Sequence, residues 1–538
     1  MTATETAPEE ATPDSLGDVA PPQDAARRTA ADWAVLAIVA VDVVAGVVYR
    51  FHTTSKMWLD EVQTVNISSQ PLRQIPAALR RDGAPPLYYA LLHFWMGIAG
   101  TSDAAIRALP GVLSLVTLPI MWFVVRRWFG RIEALCALGL LAASPFAVYF
   151  ATENRMYSLV MLLVTAGIWA VMALFDAPTW PRAAAVAVIG ALLLYTHYWS
   201  LYLLGVVGLW FVFVAVRERG PRQRAARLGI AGLVASGIAF LPWVPIFLYQ
   251  SKHTGTPWAA PATLADAYGW IAGFTVNQSV QQVVTSLHTE LSLLMLIVLL
   301  VLGFAAAPAG GDRIELRLTG QPRARVLAFV MVGTLGVGWA ASLVANSAFQ
   351  PRYSSVIFPI VVILMALGLA ALPNRWLLVG VLAAASALSL WTVHWGAQVQ
   401  RSQAGVVATV MHQTVPPGSV VAVCPDQLGP SLLRYAGATQ YEFHGYPRYA
   451  APDLVDWIDY KDAVAAAGAN AFARRIVTAA GPEPFYLVWA KGYGLLTRCE
   501  DLAEALAQQS QRVPRTVVVA KKLGYYQSMN LVEYPPAP

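Results

Sequence analysis

Residues 56–69, KMWLDEVQTVNISS, carry two adjacent carboxylates, Asp60 and Glu61, shortly after a long apolar run. The chain around them is poor in charge. Of its 538 residues, 57% are hydrophobic and only 13% are charged, and the mean hydropathy is +0.53. Soluble globular proteins carry about 25% charged residues. The composition therefore predicts a polytopic membrane protein. In such a protein, two neighbouring acids outside the apolar runs are candidates for a functional role.

Eleven apolar runs are long enough, or nearly so, to cross a membrane, which takes about 20 helical residues. They are 33–50, 107–125, 133–150, 157–175, 183–198, 199–216, 228–248, 290–307, 325–345, 354–372 and 376–393. Arginine clusters separate alternate pairs of these runs, and such clusters favour cytoplasmic loops. With every cluster inside, the N-terminus is cytoplasmic and the C-terminus extracytoplasmic. The net charge of +6 is explained in the same way, so we expect no nucleic-acid partner.

Residues 85–100, PPLYYALLHFWMGIAG, are apolar but short, and they begin with two prolines. Counting them as a span would move the arginines of RRWFGR, 126–131, to the outside. We therefore predict that this segment is a helix at the outer interface. The acid pair then lies outside the membrane, in an outer loop of residues 51–106.

The remaining organisation follows from composition. Residues 1–28 are acidic and rich in Pro and Ala, which predicts a disordered cytoplasmic tail. Residues 29–393 form the membrane domain, with a long outer loop at 249–289. Residues 394–538 are of mixed composition and predict an extracytoplasmic α/β domain.

In this C-terminal domain the segments SVVAVC, FYLVWA, TVVVAKK and MNLVEY predict strands. Segments 453–467 and 499–510 have helical apolar spacing. Cys424 and Cys499 both lie here. An extracytoplasmic location would allow them to pair, and the sequence leaves that pairing open.

Polar residues converge at the outer ends of the predicted spans. They are Asp60, Glu61, Glu153, Arg155, Tyr157, His197, Lys252, His253, Arg352 and Tyr353. A single polar residue at the end of a span is ordinary at the membrane–water interface. Several ionisable groups on one side of a bundle instead indicate a functional site. A carboxylate can act as a base and arginines can hold a phosphate. Because the chain has no Walker loop, we expect an activated substrate that arrives in the membrane, such as a lipid-linked phosphate carrying a sugar.

The order of motifs WLDE, PPLYY, IRALPGVLS, SPFAVYFATENRMYSL, HYWSLYLL and PRYSSVIFP resembles the integral-membrane glycosyltransferases of the GT-C fold. The resemblance covers about residues 33–372. It is strongest to the bacterial branch that includes the lipid A aminoarabinose transferases, the RgtA-type lipopolysaccharide transferases and the protein O-mannosyltransferases. It implies an α-helical polytopic fold of about 11 transmembrane helices, polyprenyl-phosphate sugar donors and inversion at the anomeric carbon.

The resemblance also implies roles for the outer residues. Asp60 matches the catalytic base of the family. Glu61 beside it would bind acceptor hydroxyls, share a divalent cation with Asp60, or only stabilise the first turn of a helix. Glu153 and Arg155 match a second outer-loop motif, with a mutual ion pair as the alternative to phosphate binding. Tyr157 belongs to the same motif.

Arg352 and Tyr353 match a motif that follows the long loop, where Arg352 would bind donor phosphate. Lys252 and His253 start that loop and are weaker candidates for the same role. His197 is explained equally well as a ligand-binding or a packed histidine. Outside this set, we expect Arg107 to extend to the outer lipid headgroups.

These expectations combine into a plasma-membrane glycosyltransferase. It would move a mannose or arabinose-like sugar from a polyprenyl-phosphate donor to an extracytoplasmic cell-envelope glycan, lipid or protein. The chemistry does not demand a metal, although a divalent ion is compatible with the acid pair. The alternative is a transporter or flippase of a lipid-linked envelope precursor. The frequent Ala, Arg and Val suggest a high-GC bacterium, such as an actinobacterium.

Overall fold

A computed structural model describes residues 29–256, 263, 265–276, 285–308, 314–316, 321–344, 349–491, 499–521 and 525–537. The expected disordered tail at 1–28 lies outside the described residues, and so do parts of the long outer loop at 249–289. The described chain forms a helical bundle followed by a smaller α/β domain.

The helices of the bundle follow the apolar runs of the sequence. They are α1 Ala30–Tyr49, α2 Leu59–Ser68, α3 Ile75–Asp82, α4 Leu87–Ala99, α5 Asp103–Trp128, α6 Arg131–Ala143, α7 Pro145–Ala151, α8 Tyr157–Asp176, α9 Trp180–Leu194, α10 Ser200–Arg217, α11 Pro221–Phe240, α12 Val244–His253, α13 Ala265–Gly273, α14 Ser286–Ala305, α15 Pro322–Val344, α16 Phe358–Ala370 and α17 Arg375–Gln398. A short antiparallel pair, β1 Ala306–Pro308 and β2 Ile314–Leu316, follows α14.

Each of the eleven apolar runs coincides with a helix or helix pair of the described chain. By length and composition, eight helical stretches there can cross a membrane, and the bent pair α6–α7 makes a ninth. Helices α9 and α16 are apolar but shorter. The expected interfacial segment is α4, which is also short. The multi-pass helical architecture is confirmed, whereas eleven crossings and their orientation stay predictions.

The bend between α6 and α7 positions a turn of the site. The two helices meet at 53°, where the Ser144 side chain caps α7 and Pro145 occupies its first turn. Proline lacks an amide hydrogen, so it is tolerated at that point but ends the preceding helix. Helix α7 then leads directly into the polar turn at 152–156.

Helix α16 lies in the centre of the bundle, with most of its side chains buried. It contacts α14 backbone to backbone. A Cβ atom on Gly303 would meet the Leu364 carbonyl oxygen at 1.9 Å, and one on Gly368 would meet the Leu299 carbonyl oxygen at 2.1 Å. Small residues that allow such close approach are typical of membrane helix pairs.

The C-terminal domain is a three-layer α/β structure. Its elements are β3 Gln400–Ser402, α18 Ala404–Thr414, β4 Val420–Cys424, α19 Gly429–Ala436, β5 Glu442–Gly445, α20 Tyr460–Ala466, α21 Ala469–Ala480, β6 Phe485–Trp489, α22 Cys499–Ser510, β7 Arg515–Val518, β8 Tyr525–Gln527 and β9 Asn530–Tyr534. The main sheet has the order β5-β4-β6-β9-β7. The first three strands are parallel, and β9 runs antiparallel to both β6 and β7. The four strands expected from the sequence are β4, β6, β7 and β9.

Successive side chains of β4 point to alternate faces of the sheet and contribute to two apolar cores. Val421 and Val423 pack on one face of the sheet with residues of α18 and α19, and Val420 and Ala422 pack on the other face with residues of α21 and α22. A disulfide joins Cys424, at the end of β4, to Cys499, at the start of α22.

The segment expected to be helical at 453–467 is helical only over Tyr460–Ala466. Its first half is irregular and is hydrogen-bonded to the bundle instead. The Gln63 side chain of α2 donates to the Val455 carbonyl at 2.9 Å and accepts from the Val455 amide at 3.0 Å. The Trp457 amide donates to the Arg81 carbonyl at 3.0 Å. Tertiary hydrogen bonds therefore override the helical spacing.

The C-terminal domain thus rests on the segment between α1 and α5 that carries the acid pair. Trp58 and Leu59 pack in one apolar cluster with Val455, Trp457 and Tyr460. This docking fixes α2 between the two domains and thereby orients the side chains of its first turn.

Candidate active site

The acid pair occupies the first turn of α2. Trp58 precedes the helix in extended conformation, and Asp60 and Glu61 follow as its second and third residues. Successive helical residues point about 100° apart, so two adjacent side chains cannot face the same way. Glu61 is fully buried, whereas the Asp60 side chain keeps 21% of its surface exposed.

Glu61 is held in a bidentate ion pair. Arg107 donates from Nε to Oε1 at 2.7 Å and from Nη2 to Oε2 at 2.6 Å. The Asn154 amide also donates to Oε1, at 3.0 Å. Burial opposes ionisation of Glu61, but the charge and hydrogen bonds of Arg107 and the charge of Arg401 outweigh it and lower the pKa. The carboxylate is therefore ionised and its oxygens are already engaged by protein groups.

Arg107 differs from its expected position. Its side chain is only 7% exposed, and its Nη1 donates to the Ser55 carbonyl at 2.6 Å. The prediction that it extends to the lipid headgroups is wrong, because the buried carboxylate of Glu61 provides a stronger partner than the interface.

A second arginine reaches Glu61 from the C-terminal segment. Arg401 of β3 donates to the Thr152 carbonyl and hydroxyl, each at 2.7 Å, and its Nη1 lies 3.7 Å from Glu61 Oε1. Nothing in the local sequence marks this residue, which follows the last span. We call Glu61, Arg107, Asn154 and Arg401 the site floor.

Asp60 faces a different side of α2, towards Arg352. The Arg352 Nη1 lies 3.3 Å from Asp60 Oδ2, and both side chains are about one-fifth exposed, at 18% and 21%. Arg155 approaches from the polar turn after α7 and donates to the Thr64 hydroxyl at 2.8 Å and to the Tyr89 hydroxyl at 3.3 Å. We call Asp60, Arg155, Arg352 and Tyr353 the open face.

Glu153 and Arg155 do not pair with each other in the described structure. Trp58 Nε1 donates to Glu153 Oε1 at 2.9 Å, while Arg155 is engaged by Thr64 and Tyr89. Burial raises the pKa of Glu153 to about 7. The ion pair that was the alternative role for these two residues is therefore absent from the part of the chain that the structure describes.

The aromatic members of the predicted set stack together beside the open face. The His197 ring lies between Tyr157 and Tyr353, with ring centroids 5.8 and 5.5 Å away. The Trp199 amide donates to His197 Nδ1 at 3.2 Å, so this nitrogen accepts and carries no proton. Arg352 in turn lies over the Tyr353 ring, 5.7 Å from its centroid. These contacts support the position of Arg352.

Lys252 and His253 lie apart from the acid pair. His253 Nδ1 is 3.0 Å from Asp459 Oδ1, and its ring stacks on Tyr249. Lys252 is exposed beside it on α12. The contact of His253 links α12 to the C-terminal domain.

A metal site is not formed by the acid pair as it stands, since both carboxylates face arginines. In the ranges that the structure describes, no three His, Cys, Asp or Glu side chains come together as a metal-binding group.

Two residues of the site were not expected from the sequence, besides Arg107 and Arg401. Trp58 contacts Glu153, and Tyr526 of β8 packs edge-on against Trp58 with ring centroids 4.9 Å apart. The C-terminal domain therefore supplies Arg401 to the floor and Tyr526 to the neighbourhood of the open face.

The chain is similar to known proteins in part of its sequence and in its fold. Residues 83–245 match the family model described as dolichyl-phosphate-mannose-protein mannosyltransferase. The structure is similar to two crystal structures of ArnT from Cupriavidus metallidurans, and each comparison covers 94% of this chain and 98% of ArnT. The form bound to undecaprenyl phosphate has 14% identity and a TM-score of 0.59, and the apo form has 15% and 0.60.

The chain has the GT-C fold. A structure of the archaeal oligosaccharyltransferase AglB from Archaeoglobus fulgidus, in complex with an inhibitory peptide and a dolichol phosphate, also matches, at 11% identity and a TM-score of 0.46 over 90% of this chain and 72% of that one. No curated protein sequence matches the chain. Within this GT-C chain the family match includes Glu153, Arg155, Tyr157 and His197, and it ends before Arg352.

Proposed function

We propose that this GT-C protein is a glycosyltransferase that moves a sugar from a polyprenyl-phosphate donor to an acceptor hydroxyl. The observation that carries the proposal is the open face. There one partly exposed carboxylate, Asp60, lies within 3.3 Å of an arginine, while its neighbour Glu61 is fully engaged in the floor. A base beside a phosphate-binding cation is what this reaction needs.

Asp60 acts as the general base in this proposal. It accepts the proton of the acceptor hydroxyl while the hydroxyl oxygen bonds to the anomeric carbon of the donor sugar. The bond from that carbon to the phosphate oxygen breaks, and its electron pair leaves with the polyprenyl phosphate. Attack opposite the leaving group inverts the anomeric centre.

Arg352 and Arg155 hold the departing phosphate. Guanidinium groups bind phosphate oxygens through charge-assisted hydrogen bonds, which strengthen as negative charge accumulates on the leaving group. Arg155 Nε is buried and has no hydrogen-bond partner in the described part of the chain, so a donor is left for a ligand. While Asp60 is ionised it also keeps Arg352 directed at the reacting centre.

Glu61 has a positioning role in this proposal. Its ion pair with Arg107 joins α2 to α5, and its contact with Asn154 joins α2 to the polar turn. The floor thereby fixes the direction in which Asp60 points. In this proposal the pair consists of one base, Asp60, and one structural anchor, Glu61.

The similarity to known proteins supports a lipid-phosphate donor. The matched family is described by dolichyl-phosphate-mannose, and the ArnT structure of the same fold was bound to undecaprenyl phosphate. We propose a mannose or arabinose-like sugar and a cell-envelope glycan, lipid or protein as acceptor. Lys252 and His253 are proposed to contact donor only if α12 moves, since His253 is engaged by Asp459.

We further propose that the open face and the C-terminal domain lie on the extracytoplasmic side of the plasma membrane. The disulfide between Cys424 and Cys499 supports this orientation, because such bonds persist in oxidising compartments. Accessibility of a tag inserted at Gly100, in the loop after α4, tests it. Labelling from outside intact cells is expected, and labelling only after lysis would contradict the orientation.

The function is tested by incubating purified protein with a panel of polyprenyl-phosphate sugars and envelope acceptors, and by detecting the glycosylated product by mass spectrometry. At least one donor is expected to be consumed with release of polyprenyl phosphate. Movement of an intact lipid-linked substrate across liposomes, without release of polyprenyl phosphate from any donor, would instead identify a flippase.

A further inference from the structure

A cavity lies beside the open face and extends under the C-terminal domain. Its lining includes Trp58, Tyr149, Glu153, Arg352 and Tyr526. Trp58 precedes the acid pair by two residues, and Arg352 is the arginine that contacts Asp60. The cavity therefore adjoins the carboxylate and the cation that carry the proposed reaction.

One wall of this cavity is aromatic and comes from both domains. Tyr526 stands edge-on to Trp58, at an interplanar angle of 88°. Trp58 is 5% exposed, whereas Tyr526 keeps 52% of its surface exposed. The Tyr526 hydroxyl is close enough to Arg352 and Asp60 of the bundle to interact with their charges. A half-exposed tyrosine ring at the edge of a cavity offers a flat apolar surface to a ligand.

Next to this aromatic wall, the lining carries an unused polar atom. Glu153 is 3% exposed, and its Oε1 accepts from Trp58. Its Oε2 is buried and has no hydrogen-bond partner in the ranges described. A buried polar atom without a partner is costly, and a ligand group would satisfy it.

The chemistry of the lining discriminates between ligands. A phosphate beside Glu153 would meet a carboxyl group, which disfavours a second anion. A sugar ring is neutral, and it presents hydrogen-bonding hydroxyls at its edge and an apolar C–H face. An aromatic wall beside a carboxyl group matches both features.

We propose that this cavity is the sugar subsite of the donor, with Tyr526 and Trp58 forming the wall for the ring and Glu153 Oε2 bonding to one of its hydroxyls. The inference rests on the proposed function, since it assumes a donor whose phosphate lies at Arg352. It makes the C-terminal domain part of the substrate site. Tyr526 then acts in sugar recognition, and the domain that carries it sets which sugar is accepted.

The test compares two kinds of lipid, without and with a sugar, on the full-length protein. Binding of undecaprenyl phosphate, which lacks a sugar, is measured beside binding of undecaprenyl-phosphate-linked mannose and arabinose. The wild type is expected to bind at least one sugar lipid more tightly than the sugar-free lipid. Tyr526→Ala is expected to weaken that sugar lipid roughly fivefold, the size of an aromatic contact, and to leave the sugar-free lipid unchanged.

Matched variants separate recognition from folding. Tyr526→Phe keeps the ring and is expected to bind like the wild type. Tyr525→Ala removes the preceding tyrosine, whose side chain points to the other face of β8, and is expected to leave both lipids unchanged. Glu153→Gln keeps the acceptor for Trp58 but puts an amide in place of Oε2. It is expected to weaken only the sugar lipid.

Two results would overturn the subsite. One is a wild type that binds the sugar-free and sugar lipids equally, and the other is a Tyr526→Ala variant that weakens both lipids alike. Failure of the proposed function has a different signature, because then the wild type binds no undecaprenyl phosphate and Arg352→Met changes nothing. A wild type that binds the lipid phosphate without distinguishing the sugar rejects the subsite alone.

Discussion

The site floor and the open face start from neighbouring residues of α2 and have opposite characters. In the floor, Glu61 is fully buried and receives hydrogen bonds from Arg107 and Asn154. In the open face, the Asp60 carboxylate lies 3.3 Å from Arg352 and keeps part of its surface exposed. A carboxylate whose oxygens are hydrogen-bonded to protein groups anchors the structure. A carboxylate that remains accessible to a ligand is available for chemistry.

The largest effect on stability is expected from a substitution in the site floor. Replacing Arg107 with Met leaves Glu61 as a buried charge without its bidentate partner, and loss of one member of such a pair costs about 3–5 kcal/mol. The unfolding midpoint in detergent is expected to fall strongly. Arg126→Met, at the exposed C-terminal end of the same helix, is the matched control and is expected to change it little.

Equal midpoints for the Arg107 and Arg126 variants would show that the floor does not anchor α2. The separation of the two acids into an anchor and a base would then lose its structural support.

The next largest effect is expected from a substitution in the open face. Arg352→Lys keeps the charge but loses the planar fork that suits a phosphate, so the KM for the donor is expected to rise roughly tenfold to a hundredfold. The unfolding midpoint is expected to stay close to that of the wild type, because this contact is partly exposed. A variant that instead unfolds without a change in KM would assign Arg352 to the floor.

A smaller effect concerns the docking that orients both regions. Gln63→Ala removes two hydrogen bonds to the buried backbone of Val455, at about 1–2 kcal/mol. Limited proteolysis is expected to cleave the 446–459 segment faster. Gln70→Ala, after the end of the same helix, is the control. Unchanged cleavage in the Gln63 variant would contradict the docking role.

Much of this molecule follows from sequence alone. In the described part of the chain each of the eleven apolar runs overlaps a helix, the segment 85–100 forms the short helix α4, and four strands fall where β-branched and aromatic residues are frequent. These features depend on local periodicity, which a sequence displays directly.

The partners of the two acids do not follow in this way. Arg107 was expected at the headgroups, and Arg401 and Tyr526 were not expected at the site, because each meets its partner from a distant part of the chain. The helical spacing at 453–467 gave a wrong prediction for the first half of the segment, because hydrogen bonds to α2 hold that half in an irregular conformation. Long-range contacts leave no periodic signal, so a site assembled from two domains becomes visible only in the fold.

The smallest effect concerns pH and contrasts two buried glutamates. The raised pKa of Glu153 means that its contribution to stability is complete below its ordinary pKa of 4.5 and is lost as the pH rises through about 7. The lowered pKa of Glu61 gives the opposite sign, with stability lost as the pH falls. Glu153→Gln is expected to flatten the fall of the unfolding midpoint between pH 4.5 and about 7. An unchanged slope would contradict the buried, proton-binding state of Glu153.

The most direct test of the two roles compares Asp60→Asn with Glu61→Gln in single-turnover transfer from a saturating donor, using equal amounts of folded protein. Asp60→Asn is expected to fold and bind donor like the wild type while its transfer rate falls by about 10²–10⁴-fold, the usual contribution of a general base. Glu61→Gln is expected to lose stability first and to retain transfer in the fraction that remains folded. Transfer by Asp60→Asn at the wild-type rate would contradict the account.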